Sequence, residues 1–114
     1  MTTALLCSRQ LATAEHYEQI RLALARLGTL VLHHGGEGAA KQHAEAWATE
    51  TGRGVVAHRP DWTQHGRAAG PLRGRALVAG AETVVALWDG KSRGTAAELK
   101  EARRLRKRVI LLLV

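Results

Sequence analysis

The segment from Val84 to Glu98 combines a short apolar run, a glycine-containing loop and helix-forming residues, an arrangement that can bind an anion. The run Val84–Leu87 is β-branched at its start, which predicts a buried strand. Residues Ala96–Leu105 favour a helix with one apolar face. Between them, Gly90 and Gly94 let the backbone approach a bound group, and the first N–H groups of a helix have no intrahelical acceptor. The segment therefore predicts a phosphate site, formed by Gly90, Lys91, Ser92, Arg93, Gly94 and Thr95.

The same residues also fit a purely structural role. Thr95-x-x-Glu98 matches a capping box, in which the threonine hydroxyl accepts from the Glu98 N–H and the glutamate accepts from the Thr95 N–H. Such a cap contributes about 1 kcal/mol and needs no ligand. The sequence leaves both interpretations open.

The composition is that of an ordinary globular domain. Of 114 residues, 46% are hydrophobic and 24% are charged, which is typical of globular proteins. The single cysteine, Cys7, excludes an internal disulfide and favours a reducing compartment. Nothing at the N-terminus resembles a signal peptide, and the apolar run Val109–Val114 is far too short to span a membrane. We therefore expect one domain over residues 1–114, located in the cytoplasm and without membrane contact.

The net charge of +7 comes mainly from the second half of the chain. Much of the excess lies in one cluster, formed by Lys100, Arg103, Arg104, Arg106, Lys107 and Arg108. Such a cluster binds nucleic acid in some proteins. In others it is a solvated helix face whose arginines stabilise the helix C-terminus. We expect at most weak, salt-sensitive binding to nucleic acid, because only flexible side chains would contact the phosphates.

The periodicity of the apolar residues predicts five strands alternating with four helices. Strands are expected at residues 3–7, 29–32, 54–58, 84–87 and 108–113, and helices at 13–27, 39–51, 71–79 and 96–105. Residues 59–70 are expected to be irregular, with Pro71 at the first position of the third helix. This alternation predicts an α/β domain with a five-stranded parallel sheet in the order 3-2-1-4-5, flanked by helices.

That strand order places the ligand site. Strands 1 and 4 are neighbours at the topological switch point, and ligands of such sheets bind in the crevice beyond the carboxyl ends of the strands. The loops that begin at Ser8, His34, Pro60 and Asp89 meet at this edge, and they carry the unusual polar and glycine residues of the chain. We expect Ser8-Arg9 to lie beside the loop Gly90–Thr95.

Three segments resemble a known family. The stretches HHGGEGAAKQHAEAWA, RPDWTQHGRAAGPLR and VVALWDGKSRGTAAE are similar, in this order, to signatures of the YspA-like (YpsA-related) branch of the SLOG superfamily. SLOG proteins are Rossmann-like and include the LOG phosphoribohydrolases and the DNA-processing protein DprA. The middle signature is specific, and its residues here are Asp61, Trp62, Gly66, Ala69, Gly70, Pro71 and Arg73. The resemblance spans nearly the whole chain and implies a Rossmann-like fold, a homodimer and a nucleotide or nucleotide-derived ligand.

The resemblance also implies which loops contact the ligand. These are Ser8-Arg9, Gly35-Gly36, Asp61-Trp62, Gly70–Arg73 and Gly90–Thr95. The chain departs from the family pattern at three points. Cys7 replaces a glycine after the first strand, Lys41 is aligned with an acidic residue of the second loop, and Gly74 replaces the asparagine of an Arg-Asn pair. These changes favour a more anionic ligand or indicate a site that has lost catalysis.

Individual side chains add three competing hypotheses of function. Arg9 and Arg73 suit bidentate contacts to phosphate, and Trp62 suits stacking on a base or, equally, a structural contact. The first hypothesis is a binding module for a nucleotide-derived ligand. The second is a LOG-type enzyme that cleaves a nucleoside monophosphate, with Glu98 of the G-T-x-x-E motif in the catalytic site, and the third is DprA-like binding of nucleic acid. The six histidines and Cys7 show no metal-ligand spacing, so we predict no metal site and no cofactor.

Overall fold

The computed structural model describes residues 1–114 and contains a five-stranded parallel sheet. The strands are β1 (Thr2–Cys7), β2 (Val31–His34), β3 (Gly54–Ala57), β4 (Thr83–Trp88) and β5 (Arg108–Leu113). The helices are α1 (Ala14–Leu27), α2 (Gly38–Thr51), α3 (Trp62–His65), α4 (Ala69–Ala79) and α5 (Arg93–Arg104). The sheet order is β3-β2-β1-β4-β5, so the predicted order 3-2-1-4-5 and the α/β Rossmann-like fold are confirmed.

Both faces of the sheet are covered by helices. On one face, Leu5 and Val85 of the sheet pack with Leu24 of α1 and Trp47 of α2. On the other, Leu6 and its sheet neighbours pack against α4 and α5 in a second cluster of nine buried residues. Because the central strands are buried on both sides, they are continuous apolar runs instead of alternating ones.

The second strand begins two residues later than predicted. Gly28 ends α1 in the left-handed conformation, and the N–H of Thr29 then donates to the carbonyl of Leu24. Residues 29–30 are therefore used to end the helix, and pairing with β1 starts at Val31 opposite Thr2. As a result, His33 and His34 belong to the strand.

The prediction of an irregular segment at residues 59–70 is wrong in part. The Asp61 carboxylate accepts from the N–H of Gln64 and begins α3, which a 3₁₀ turn at Gly66–Ala68 connects to α4. Helix α4 begins at Ala69, so Pro71 is its third residue and not its first. The position still suits proline, because the first N–H groups of a helix have no intrahelical acceptor.

Candidate functional site

The neighbouring strands β1 and β4 bring two polar loops together at the carboxyl edge of the sheet. The N–H of Ser8 donates to the carbonyl of Leu87 at 3.0 Å, and the N–H of Asp89 donates to the Ser8 hydroxyl at 3.2 Å. The Gln10 amide also donates to the carboxylate of Asp89 at 2.7 Å. The expected juxtaposition of the loop after β1 with the loop after β4 is therefore confirmed, and Ser8 is the buried connection between them.

Asp89 organises the loop that leads into α5. Its Oδ1 atom accepts from the N–H groups of Lys91 and Ser92, both at 2.8 Å. The hydrogen bond from the Ser92 N–H, followed by that from Lys91, holds the pKa of the Asp89 carboxyl below its ordinary value. Gly90 has a φ of 78°, in the left-handed region that favours glycine. The turn is thus fixed by the protein itself and directs the chain into the helix.

Of the two interpretations that the sequence left open, the capping box at Thr95 and Glu98 is not formed. Because the Asp89 turn already orders Lys91 and Ser92, α5 begins at Arg93 instead of Ala96, and its N-cap residue is Ser92. Thr95 therefore lies inside the first turn, where its hydroxyl accepts from the Ser92 hydroxyl at 3.4 Å. The N–H groups of Arg93, Gly94 and Thr95 have no acceptor in the protein, as is usual in the first turn of a helix.

Glu98 is consequently free of the backbone. It lies one turn into α5, partly buried at the wall of the crevice, and no hydrogen bond influences its ionisation. Burial raises the pKa of the Glu98 carboxyl, and the nearby Arg73 guanidinium partly opposes this effect. The carboxylate packs over Gly74 of α4, where a Cβ atom would lie 3.0 Å from Oε2. The glycine that departs from the family pattern therefore provides the space that this carboxylate occupies.

Arg73 connects α4 to the loop after β2. Its Nη1 donates to the carbonyl of Gly35 at 2.7 Å, and its Nη2 lies 3.6 Å from Oε1 of Glu37. The side chain is only 16% exposed, and its Nε is buried without an acceptor. A Cβ atom at position 35 would overlap Nη1 of Arg73, so Gly35 is needed for this packing. The same Glu37 oxygen accepts from Nη2 of Arg9 at 3.1 Å.

A cavity of about 630 Å³ opens between these loops, within the usual size of small-molecule sites. Eight of the fifteen residues predicted for the site line it, namely Arg9, Gly35, Arg73, Lys91, Ser92, Gly94, Thr95 and Glu98. The structure adds Gln10, Glu37 and Asp89, which the sequence did not single out. Asp89 had a usable signal, because Asp-Gly followed two residues later by serine is typical of a side-chain-capped turn. Glu37 had none that distinguishes it from a solvated loop residue.

The other seven predicted residues do not line this cavity. Ser8, Gly36, Gly90 and Arg93 are next in sequence to residues that line it, whereas Asp61 is the N-cap of α3 and Trp62 is its first residue. Trp62 is 52% exposed, and its ring lies against Gly70. Gly70 instead lines a second cavity of about 530 Å³ between α4 and α5, which shares Arg73 and Glu98 with the first.

The other reactive side chains near the crevice are histidines and Cys7, and Cys7 lines the cavity as well. No group of three or more His, Cys, Asp or Glu residues is arranged to hold a metal ion. The rings of His33 and His58 are stacked, with Nδ1 and Nε2 2.8 Å apart, and His34 accepts from the N–H of Gly36. Burial raises the pKa of the Cys7 thiol to about 12, so it is not a nucleophile at neutral pH. None of the helices combines the length and apolar character that crossing a membrane requires.

The overall arrangement is similar to a known crystal structure. The X-ray structure of TM1055, a structural genomics target, matches 95% of this chain and 71% of its own chain with a TM-score of 0.70. Only 21% of the aligned residues are identical, so this similarity concerns the fold alone.

Sequence comparison gives a closer relationship. The Gene 61 protein of Mycobacterium phage D29 is 40% identical over 81 residues, which are 66% of this chain and 65%, just under two thirds, of the phage protein. The model of the "YspA, cpYpsA-related SLOG family" matches residues 14–65, from the start of α1 to the end of α3. The resemblance that the sequence motifs indicated is therefore confirmed: residues 14–65 are similar to the YspA, cpYpsA-related SLOG family.

Proposed function

We propose that the crevice binds a nucleotide or a nucleotide-derived small molecule, with a phosphate held at the N-terminus of α5. The observation that carries this proposal is the first turn of α5, where the N–H groups of Arg93, Gly94 and Thr95 have no acceptor and Gly94 and Thr95 line a cavity of ligand size. A helix N-terminus carries a partial positive charge and favours an anion. The cation Lys91 also lines this cavity.

Acceptors and donors of the other walls suit the remainder of such a ligand. The carboxylates of Glu98 and Asp89 accept hydrogen bonds, as ribose hydroxyls and exocyclic amines require. The similarity to the SLOG family supports small-molecule binding. Since both hydrophobic clusters share one sheet, we also propose that residues 1–114 fold as one domain. A homodimer and a cytoplasmic location stay predictions.

A matched pair of variants tests the phosphate contact. Arg93→Ala removes the side chain alone, whereas Arg93→Pro also removes the N–H group. Proline suits this first helical position, because Ser92 before it has an extended ψ of 121°. A hydrogen bond to a charged group contributes about 1.5–3 kcal/mol, so AMP should bind Arg93→Pro roughly tenfold or more weakly than Arg93→Ala.

Isothermal titration with AMP and adenosine measures this difference. Adenosine should bind the two variants equally, because it has no phosphate to meet the missing N–H. The parent should bind AMP more tightly than adenosine. Equal binding of AMP and adenosine by the parent would contradict the proposed phosphate site.

The freedom of Glu98 favours a second candidate function, cleavage of the N-glycosidic bond of a nucleoside monophosphate. Such a reaction passes through an oxocarbenium-like state, which a nearby carboxylate can stabilise. Glu98 is a carboxylate of this kind, since it lines the crevice, is partly buried beside Arg73 and makes no capping hydrogen bond. Base release from a panel of nucleoside monophosphates tests it, since turnover lost in Glu98→Gln with AMP binding intact would establish the enzyme.

A further inference from the structure

The carboxylate of Glu37 occupies the position where two arginines of the crevice converge. Its Oε1 is 3.1 Å from Nη2 of Arg9 and 3.6 Å from Nη2 of Arg73. Glu37 is the N-cap residue of α2, yet its side chain makes no capping hydrogen bond with that helix. It is instead directed into the crevice from between Gly36 and Gly38, whose φ values are 80° and 66°.

Arg73 has few other donors to offer a ligand. Nη1 of Arg73 is already bonded to the carbonyl of Gly35, and its Nε is buried. Nη2 is therefore the donor of Arg73 that an incoming anion would meet, and Glu37 is beside it. An anion that approached with Glu37 in place would be repelled by a like charge and would find the carboxylate beside Nη2 of both Arg9 and Arg73.

We propose that Glu37 is a built-in competitor for the anionic group of the ligand, and that a phosphate must displace its carboxylate to reach Arg9 and Arg73. This inference rests on the proposed function, since it assigns a further anionic contact of the same ligand. A doubly charged phosphate interacts more strongly with two guanidinium groups than a single carboxylate does. Glu37 thereby makes the crevice selective for phosphate groups of high charge over monoanions such as carboxylates.

Movement of Glu37 is compatible with its surroundings. Its side chain is 36% exposed and Arg9 is 78% exposed, so the ion pair borders solvent and is weak. A Cβ atom at Gly38 would lie 3.5 Å from Cγ of Arg9, and one at Gly36 would lie 2.7 Å from Cγ of Arg59, so the loop backbone packs against side chains at both glycines. The Glu37 carboxylate itself is held by two ion pairs at a partly exposed position.

The test measures the binding of inorganic pyrophosphate to two variants, each of which removes a single negative charge. Glu37→Gln keeps the shape of the side chain but removes its charge. Glu45→Gln is the matched control, because Glu45 lies on the same helix, pairs with Lys41 at 3.8 Å and does not line the cavity. Isothermal titration at low ionic strength should show about fivefold to tenfold tighter pyrophosphate binding for Glu37→Gln. Glu45→Gln should stay within about twofold of the parent.

A second variant connects the gain to the arginines. Adding Arg9→Ala to Glu37→Gln should abolish the gain in pyrophosphate affinity. If Glu37→Gln binds pyrophosphate no better than the parent, or if neither binds it, Glu37 is not a competitor. Weaker binding by Glu37→Gln would overturn the inference as well, because Glu37 would then hold the arginines in place for the ligand. Failure of the proposed function is distinguishable, since it would appear as equal binding of AMP and adenosine whatever pyrophosphate does.

Discussion

Replacing Gly35 with alanine should detach Arg73 from the crevice while leaving the fold intact. The new Cβ atom would overlap Nη1 of Arg73 and lie 3.1 Å from its Cζ, so the guanidinium must leave the Gly35 carbonyl. That bond, from a charged donor, contributes about 1.5–3 kcal/mol. Gly35 has no positive φ, so alanine adds no backbone strain and restricts the unfolded chain, which stabilises by about 0.4–1 kcal/mol. The free energy of unfolding should therefore fall by about 1–2 kcal/mol.

Equilibrium unfolding in urea at pH 7 measures this change, and Gly54→Ala is its control. Gly54 also lacks a positive φ, and a Cβ atom there would meet nothing within 4 Å. The control should be as stable as the parent or slightly more stable. AMP binding should weaken in Gly35→Ala alone, because Arg73 would no longer line the crevice. Equal stability of the two variants would refute the reasoning, since Arg73 would then move out of its buried position at no cost.

Three further outcomes follow from the charges and the burial of the chain. Glu98→Gln should be at least as stable as the parent at pH 7, because the raised pKa means that the ionised carboxyl is disfavoured in the folded protein. Melting temperatures should show that this advantage shrinks as the pH falls toward 4.5, the ordinary pKa of the group. A large loss of stability at pH 7 would contradict this prediction. Cys7 should react slowly with iodoacetamide at pH 8 in the folded protein and readily in urea, whereas equal rates would mean that the thiol is accessible. Any binding of single-stranded DNA, measured by fluorescence anisotropy, should be lost between about 50 and 200 mM salt. Binding that persists at high salt, and that is abolished when Arg103, Arg104 and Lys107 are replaced with glutamine, would favour a nucleic-acid function instead.

The fold was predictable because its signals are local and repeated. Each strand of the sheet is a short apolar run, and Gly28 and Gly52 end α1 and α2 in the left-handed conformation expected of such glycines. Alternation of strands and helices then leaves few topologies. The boundaries were less predictable. Thr29 has a strand-forming side chain, yet its N–H is used to end α1, and this competition is invisible in residue preferences.

The sequence predicted only those parts of the site that follow from the strand order and from the glycine-containing loops. Glycines at the carboxyl edge marked the loops, and the crevice between them does contain Arg9 and Arg73. Glu37 was not predictable, since its role comes from two arginines that are distant in sequence and meet at its carboxylate. For Trp62 the sequence left base stacking and a structural contact equally open, because it does not indicate that Asp61 would begin a short helix that places the ring against Gly70.

The start of α5, one turn earlier than the sequence predicts, changes the role of the Glu98 side chain. A T-x-x-E pattern fits a helix that begins at the threonine, but it fits equally well a helix that began one turn earlier. The two cases differ in whether a preceding side chain has already ordered the backbone, and Asp89 does so by accepting from two N–H groups. With the first turn fixed by Asp89, the N–H groups of Arg93, Gly94 and Thr95 have no acceptor, and the Glu98 side chain does not cap the helix. A glutamate in a capping box would be bonded to the backbone. In the structure the Glu98 carboxylate is instead partly buried, beside an arginine and free to meet a ligand, which favours the second candidate function.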